Sequence, residues 1–198
     1  MTDPVGPFEM RRLESLSNTI FGVAMTLLAY DLPKLRISTA APDWADLYHT
    51  YVPHGSALIL SFMVAGVYWY SHHRRLTIAP HGTRGIVFLN LWFLLLIILL
   101  PTVNGLYGDY RTSSVVAVTY GCHLILLSVM NAWLWIVALA GRRGREFLQA
   151  LIPLPLFVVG TAVAFVAPQE AQLIWFLAFG TPLVGRLLFG SGQPAASP

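Results

Sequence analysis

The stretch RLESLSNTIFGVAMTLLAYDL, Arg12 to Leu32, decides how this chain is read. As a helix it is long enough to cross the roughly 30 Å of hydrocarbon in a bilayer, yet its first turns carry Arg12, Glu14, Ser15, Ser17 and Asn18. Polar side chains at membrane depth are costly unless they pair or face a protein interior. Leu13, Leu16, Ile20, Val23, Leu27 and Tyr30 recur at alternating steps of three and four, which predicts one continuous bulky stripe along a helix. The adjoining face is small: Ser15, Thr19, Gly22 and Thr26 let another backbone approach closely. A helix divided in this way is expected to pack on protein. Copies arranged around an axis would stack the bulky stripe into rings and form a hydrophobic constriction, whereas in a lone bundle the same stripe is ordinary packing.

The rest of the chain fits a membrane setting. Of its 198 residues 56% are hydrophobic and 11% charged, with mean hydropathy +0.65, far from the roughly 25% charge of a soluble domain. Runs of spanning length are read six times, at about 10–32, 49–71, 85–104, 113–140, 149–167 and 170–189. The expected fold is an all-α membrane protein. Residues 1–9 form a lead, 10–189 a six-span unit, and 190–198, rich in Gly, Ser, Ala and Pro, a frayed tail. Pro153 and Pro155 near the start of the fifth span, and Pro182 within the sixth, predict kinks or late starts. Pro33 to Asp46 reads as an external loop, with Trp44 and Tyr48 as interfacial anchors.

Basic residues favour the cytoplasmic side. With the N-terminus inside, Arg11, Arg12, Arg74, Arg75, Arg84, Arg142, Arg143, Arg145 and Arg186 are cytoplasmic, against Lys34, Arg36 and Arg111 outside. Six spans then return the C-terminus to the cytoplasm, and the cell membrane is the expected location. The acids Asp31, Asp43, Asp46, Asp109 and Glu170 fall outside, where they mildly concentrate cations. The pI near 9.2 therefore reflects topology and anionic lipid rather than nucleic acid, because the bases are divided among short loops. The first apolar run lacks a small-residue cleavage pattern, so it reads as a retained span. The single cysteine, Cys122, lies within a span and is expected to be buried apolar filler.

Three polar clusters share one depth near the cytoplasmic boundary: Arg12, Glu14, Ser17 and Asn18 on the first span, Trp69, His72, His73, Arg74 and Arg75 at the end of the second, and Arg84 and Asn90 at the start of the third. They are expected to satisfy one another, either as a structural clamp or as an ion or proton relay. His72 and His73 are adjacent and point about 100° apart, so they cannot chelate one ion as an i, i+4 pair can. His54 and His123 on separate spans are the better haem-ligand candidates. Each lacks a partner on its own helix and no cysteine attachment motif exists, so neither a cofactor nor a metal is expected. There is no His-Glu-x-x-His, Gly-x-Ser-x-Gly or phosphate loop, and no enzyme is expected. TVNGLYG, Thr102–Gly108, looks faintly like the TVGYG carbonyl filter of potassium channels, but the extra residues break the match. It reads as the outer end of the third span, leaving through Pro101 and Gly105.

The string from Arg12 through Asn18 resembles the Arg-x-x-x-Phe-Ser-Asp signature on the first helix of the transmembrane protein 175 family of potassium channels. Arg12, Ser17 and the later Thr26 and Leu27 match, while Leu16 stands for the family's Phe and Asn18 for its Asp. TrpTyrSerHisHis at 69–73, LeuAsnLeuTrp from Leu89, and the LeuLeuProThr and GlyAspTyr strings up to Tyr110 resemble its second and third helices. The resemblance is to the single-repeat prokaryotic branch. It implies a homotetramer of six-span subunits with the first helix lining a central pore and no carbonyl filter. Val23 would form the narrowest ring, Leu27 and Tyr30 the next apolar rings, and Thr26 a hydroxyl position bearing on cation preference. Arg12, Ser17, Trp69, His73 and Asn90 match its polar network, beside Asn18 and His72. The expected function is a passive potassium-permeable channel, with potassium, and sodium or protons, as permeant ions, and lipid and further copies of the chain as partners. The other readings are a proton-coupled transporter or proton leak using intramembrane His residues, and a non-conducting scaffold.

Overall fold

The structure, a computed structural model, describes residues 4–5, 7–30, 32–33, 43–78, 82–139 and 145–180. Its elements run α1 (Pro7–Tyr30), α2 (Trp44–Ile78), α3 (Arg84–Asp109), α4 (Ser114–Ala138), α5 (Arg145–Leu151), α6 (Pro153–Ala164) and α7 (Pro168–Leu177), which ends in a 3-10 turn at Ala178–Gly180. Besides helix, the described residues include one two-residue antiparallel ladder: β1 (Pro4–Val5) pairs with β2 (Gly82–Thr83) and ties the entry of α1 to the turn before α3.

Among the described residues four stretches are long and apolar enough to span: Trp44–Leu76, Arg84–Asp109, Ser114–Ala138 and Phe147–Ala164. The first expected span forms a 24-residue helix, about 36 Å long at 1.5 Å per residue, but falls outside that set. Arg11, Arg12, Glu14, Ser15, Ser17, Asn18 and Thr19 dilute its inner half. The second span is much longer than its apolar run, with 35 residues. Its start lies in the expected loop, because Asp43 and Asp46 cap it reciprocally: Asp46 N–H donates to Asp43 Oδ1 at 2.7 Å and Asp43 N–H to Asp46 Oδ2 at 3.1 Å. Trp44 and Tyr48 on that first turn are exposed.

The expected break near Pro153 is present: α5 ends at Leu151 and Pro153 opens α6, since proline is tolerated at a helix start, where its missing N–H has no partner to lose. At Pro101, by contrast, the expected exit from the third span does not occur. The helix runs on through Pro101 and Gly105 to Asp109, held by burial of Leu100, Pro101, Asn104 and Tyr107 against its neighbours. The sixth expected span is described only as far as Gly180, so Pro182, Arg186 and the tail lie outside the described residues, as do Asp31, Lys34, Arg36, Arg142 and Arg143.

Helix α3 is the hub and packs against α1, α2 and α4, while α4 also carries α6 and α7. The core runs through Phe21, Leu60, Val64, Phe93, Leu94, Ile97, Leu124 and Leu127. Lipid is as apolar as leucine, so helices in it associate through close packing and polar contacts rather than water exclusion. Trp175 on α7 shows such packing. Its indole enters a slot floored by Gly121 of α4 and Gly160 of α6, beside the Tyr107 and Tyr120 rings stacked 4.8 Å apart. A methyl group on Gly160 would collide with Trp175 Nε1, and one on Gly121 with Thr161 Oγ1 and, at 2.9 Å, the Trp175 ring. Gly160→Ala is therefore expected to destabilise the bundle by about 1–3 kcal/mol, read as a lower melting temperature in detergent. Gly66→Ala, with open space around the new methyl, is the control and leaves it unchanged.

Candidate pore face and polar network

Helix α1 has two faces. Leu13, Ser17, Phe21, Ala24 and Leu28 are buried against the bundle, spaced by four, four, three and four residues as one helical face requires. The bulky stripe expected from sequence divides: Leu13 is buried with the bundle and Ile20 half-buried beside it, while Leu16, Val23, Leu27 and Tyr30 stay exposed. At about 100° per residue these four lie roughly 110° around the helix from the buried face. Val23 is 51% exposed and Tyr30 68%. Ser15, Thr19, Gly22 and Thr26 are exposed beside them.

The open side of α1 differs from a lipid-facing surface. Between Phe88 and Leu99 of α3 the exposed side chains are Phe88, Leu91, Trp92, Leu95, Ile98 and Leu99, apolar throughout, with polar exposed residues at the helix ends. On α1 the exposed side chains include Arg12, Ser15, Asn18, Thr19 and Thr26. Thr26 Oγ1 donates to the Val23 carbonyl at 2.7 Å, and Thr19 Oγ1 to the Ser15 carbonyl at 3.0 Å. Each hydroxyl hydrogen is thus committed to its own helix, and the oxygen lone pairs remain as acceptors.

The expected polar network is three separate arrangements. Ser17 Oγ donates to the Leu13 carbonyl at 2.7 Å and accepts from Asn90 Nδ2 at 3.2 Å, both residues fully buried between α1 and α3. On the α1–α2 side, Trp69 Nε1 donates to Asn18 Oδ1 at 3.0 Å. The Trp69 ring stacks on His73, whose Nδ1 lies 3.5 Å from Glu14 Oε1. His72 points the other way, into the α2–α4 contact. There Arg75, 2% exposed, donates to Asn131 Oδ1 at 3.2 Å and to His72 Nδ1 at 2.8 Å, with its guanidinium 5.9 Å over the Phe93 ring. Ser71 Oγ donates to the same Asn131 oxygen at 3.0 Å and accepts from Trp135 Nε1 at 2.9 Å. Because arginine only donates, His72 Nδ1 is the acceptor and the ring proton sits on Nε2. Arg12 lies apart from the Arg75 cluster, in a groove with Arg84 between α1 and α3.

Sequence reasoning missed several of these partners. Arg75, counted among the cytoplasmic bases, is buried; Ser71 and Trp135 join it; and Ser61 bonds Asn104 at 2.8 Å and Tyr120 at 2.7 Å in a second buried node. Isolated polar residues inside apolar runs were the available signal. His54 is held at both nitrogens, Nδ1 to the Thr50 carbonyl at 2.9 Å and Nε2 to Asp109 Oδ1 at 3.0 Å, which leaves neither for an axial haem ligand. His123 is buried. Among the described residues no group of three His, Cys, Asp or Glu side chains is placed to hold a metal ion. Cys122 is exposed on the outer side of α4 rather than buried, since Gly121, His123 and Leu124 take the inward positions.

The chain has relatives. A family model described as the endosomal/lysosomal potassium channel TMEM175 matches residues 12–101, most of α1 to α3. The chain is 28% identical over 131 residues to a potassium channel of Streptomyces collinus, a match covering 64% of this chain and 63%, less than two thirds, of that protein. It is 25% identical over 174 residues to a potassium channel of a Chryseobacterium species, covering 84% of this chain and 88% of the relative. The crystal structure of a lysosomal potassium-selective channel TMEM175 homolog from Chamaesiphon minutus superposes with a TM-score of 0.76 at 23% identity, over 89% of this chain and 98% of that one. The two share a fold.

Trp69→Phe keeps the stack on His73 and removes the one donor to Asn18. It is expected to cost about 1 kcal/mol, seen as a lower melting temperature. Asn18→Asp, which keeps the acceptor, retains most of that stability.

Proposed function

We propose that this chain is a channel of the TMEM175 type, whose family model matches residues 12–101: a passive, potassium-permeable cation channel whose pore runs along the open face of α1 in a homotetramer. The observation that carries this reading is the mixed character of that face. Its bulky apolar side chains, Val23, Leu27 and Tyr30, are exposed and alternate with the hydroxyls of Thr19 and Thr26. Four copies around an axis would turn Val23 and Leu27 into stacked rings, with Tyr30 toward one mouth.

A narrow apolar ring blocks ions by excluding the water they travel with, so conduction requires the ring to widen and wet. No carboxylate or base occurs from Thr19 to Tyr30, and the barrier is therefore dehydration rather than charge. Thr26 is one helical turn from Val23, and its hydroxyl oxygen, with its hydrogen committed to the Val23 carbonyl, offers a weak ligand to a partly dehydrated cation. Thr102–Gly108 forms the last turns of α3, which supports a pore without a carbonyl filter, since those carbonyls run along a helix instead of converging on an axis. The N- and C-termini are cytoplasmic on this reading. The described inner ends of α1 to α3 carry Arg11, Arg12, Arg74, Arg75 and Arg84, and Asp43, Asp46 and Asp109 lie toward the outer side.

The test is potassium and sodium flux in proteoliposomes containing the purified protein. Val23→Ala is expected to raise potassium flux severalfold and Val23→Phe to abolish it, with the oligomer intact in both. Absent potassium flux in wild type and Val23→Ala, or flux carried by protons alone, would overturn the assignment. Thr26→Val, which keeps the shape and removes the hydroxyl, is expected to lower the potassium-to-sodium flux ratio while leaving total flux within about twofold, a difference of less than 1 kcal/mol in barrier.

A further inference from the structure

Between the inner ends of α1 and α3 lies an open groove of about 740 Å³. We propose that it holds an anionic phospholipid of the adjoining leaflet, with the phosphate between Arg12 and Arg84 and an acyl chain along Leu16, Val87 and Leu91. The inference needs the membrane-spanning fold but not conduction.

The groove is graded as a phospholipid is. Arg12 and Arg84 stand at its membrane-boundary end. Seven residues further along each helix, about 10 Å deeper at 1.5 Å per residue, the lining is Thr19 on α1 and Leu91 on α3. A charged mouth passing into an apolar trough of that length matches a phosphate joined to hydrocarbon. Thr19 does not interrupt the trough, because its hydroxyl hydrogen is bonded to the Ser15 carbonyl. The two arginines are held in register by the β1–β2 ladder, which pairs the segment before α1 with the turn before α3. Arg84 is also the first residue of α3, where the Thr83 cap takes only the Ile86 N–H and the remaining amide dipoles favour an anion.

A second copy of the chain is the competing occupant, and charge disfavours it. The described inner ends of α1, α2 and α3 carry Arg11, Arg12, Arg74 and Arg84, besides the buried Arg75, against Glu9 and Glu14, and Glu14 faces His73. A neighbour inserting its own inner end would bring base onto base. A phosphodiester resolves that conflict, and basic pockets between helices on the cytoplasmic side are the usual seats of anionic headgroups. Leu16 belongs both to the groove and to the open face of α1, so a lipid seated here touches the helix proposed to line the pore.

The experiment is native mass spectrometry of the full-length protein after reconstitution in equal phosphatidylglycerol and phosphatidylcholine of matched chains. Wild type is expected to retain phosphatidylglycerol preferentially, and Arg84→Gln to weaken that preference about fivefold, the effect of one interfacial base. Leu91→Trp, which fills the trough and leaves both arginines, is expected to reduce retention of either lipid. A benzoylphenylalanine photocrosslinker placed at Leu91 should give a lipid adduct. No preference in wild type, a preference unchanged by Arg84→Gln, equal stabilisation by inorganic phosphate in detergent, or a crosslink to another subunit in place of lipid would each overturn the proposal. None of these readouts depends on ion flux, so a silent pore leaves the result interpretable.

Discussion

Arg75 sets the terms for the bundle. A guanidinium 2% exposed in a helix that crosses a membrane has no water to bond, and an unsatisfied charge there costs several kcal/mol. The answer is a relay of neutral partners across α2 and α4, from Trp135 to Ser71 to Asn131, with Arg75 donating to Asn131 and to His72. Phe93 of α3 closes the site by lying under the guanidinium and facing the His72 ring. The partners come from α2, α3 and α4, so a rotation or shift of one of these helices breaks more than one contact. Tyr68 to Ser128, and Ser61 to Asn104 and Tyr120, repeat the device nearer the other end of the same helices. Networks of this kind fix a unique arrangement where apolar packing against lipid does not.

Helix α1 meets that lock at one side chain, Phe21, whose ring lies 6.1 Å from those of His72 and Phe93. It joins the bundle through one narrow face, in which Ser17 to Asn90 is the buried polar bond and Phe21, Ala24 and Leu28 are the packing. Asn18 and Glu14 meet Trp69 and His73 at the edge of that face. Glu14, Ser17 and Asn18 in the N-terminal half of α1 are thus turned toward their own subunit, while Arg12 and Ser15 stay exposed. What remains on the far side is an exposed apolar row with Thr19 and Thr26 beside it. The oligomeric channel reading rests on the part of that row from Val23 to Tyr30 facing further copies of the chain.

How much of this was legible in the sequence depends on which interactions are local. The helices were legible, because apolar runs and prolines act over a few residues: the break at Pro153 follows from proline chemistry alone. The pairing of Ser17, Asn18, Trp69 and Asn90 was legible as a shared depth, since three polar clusters in lipid have few alternatives. The division of α1 was not. Hydropathy separates protein from water, but inside a bilayer it does not separate a bundle-facing leucine such as Leu28 from an open one such as Leu27. His72 and His73 show the same limit. Their 100° offset excludes joint chelation, yet only the packed helices reveal that one faces Arg75 and the other Glu14. His54 with Asp109, separated by 55 positions, leaves no trace in local periodicity. The start of α2 was misread for a different reason: Asp43 and Asp46 look like loop residues by composition and are a helix cap by geometry.

The channel reading finally turns on a separation of tasks along α1. Its inner half carries the polar residues that anchor it, and Thr19 to Tyr30 carries no charge at all. An ion passing Val23 and Leu27 therefore meets no fixed charge to bind it and no fixed charge to repel it, and the height of its barrier follows the width of the ring. On that reading the polar contacts of α2, α3 and α4 supply the frame and α1 carries the ring. In such a design the gate needs no charge of its own, because water decides whether the ion passes.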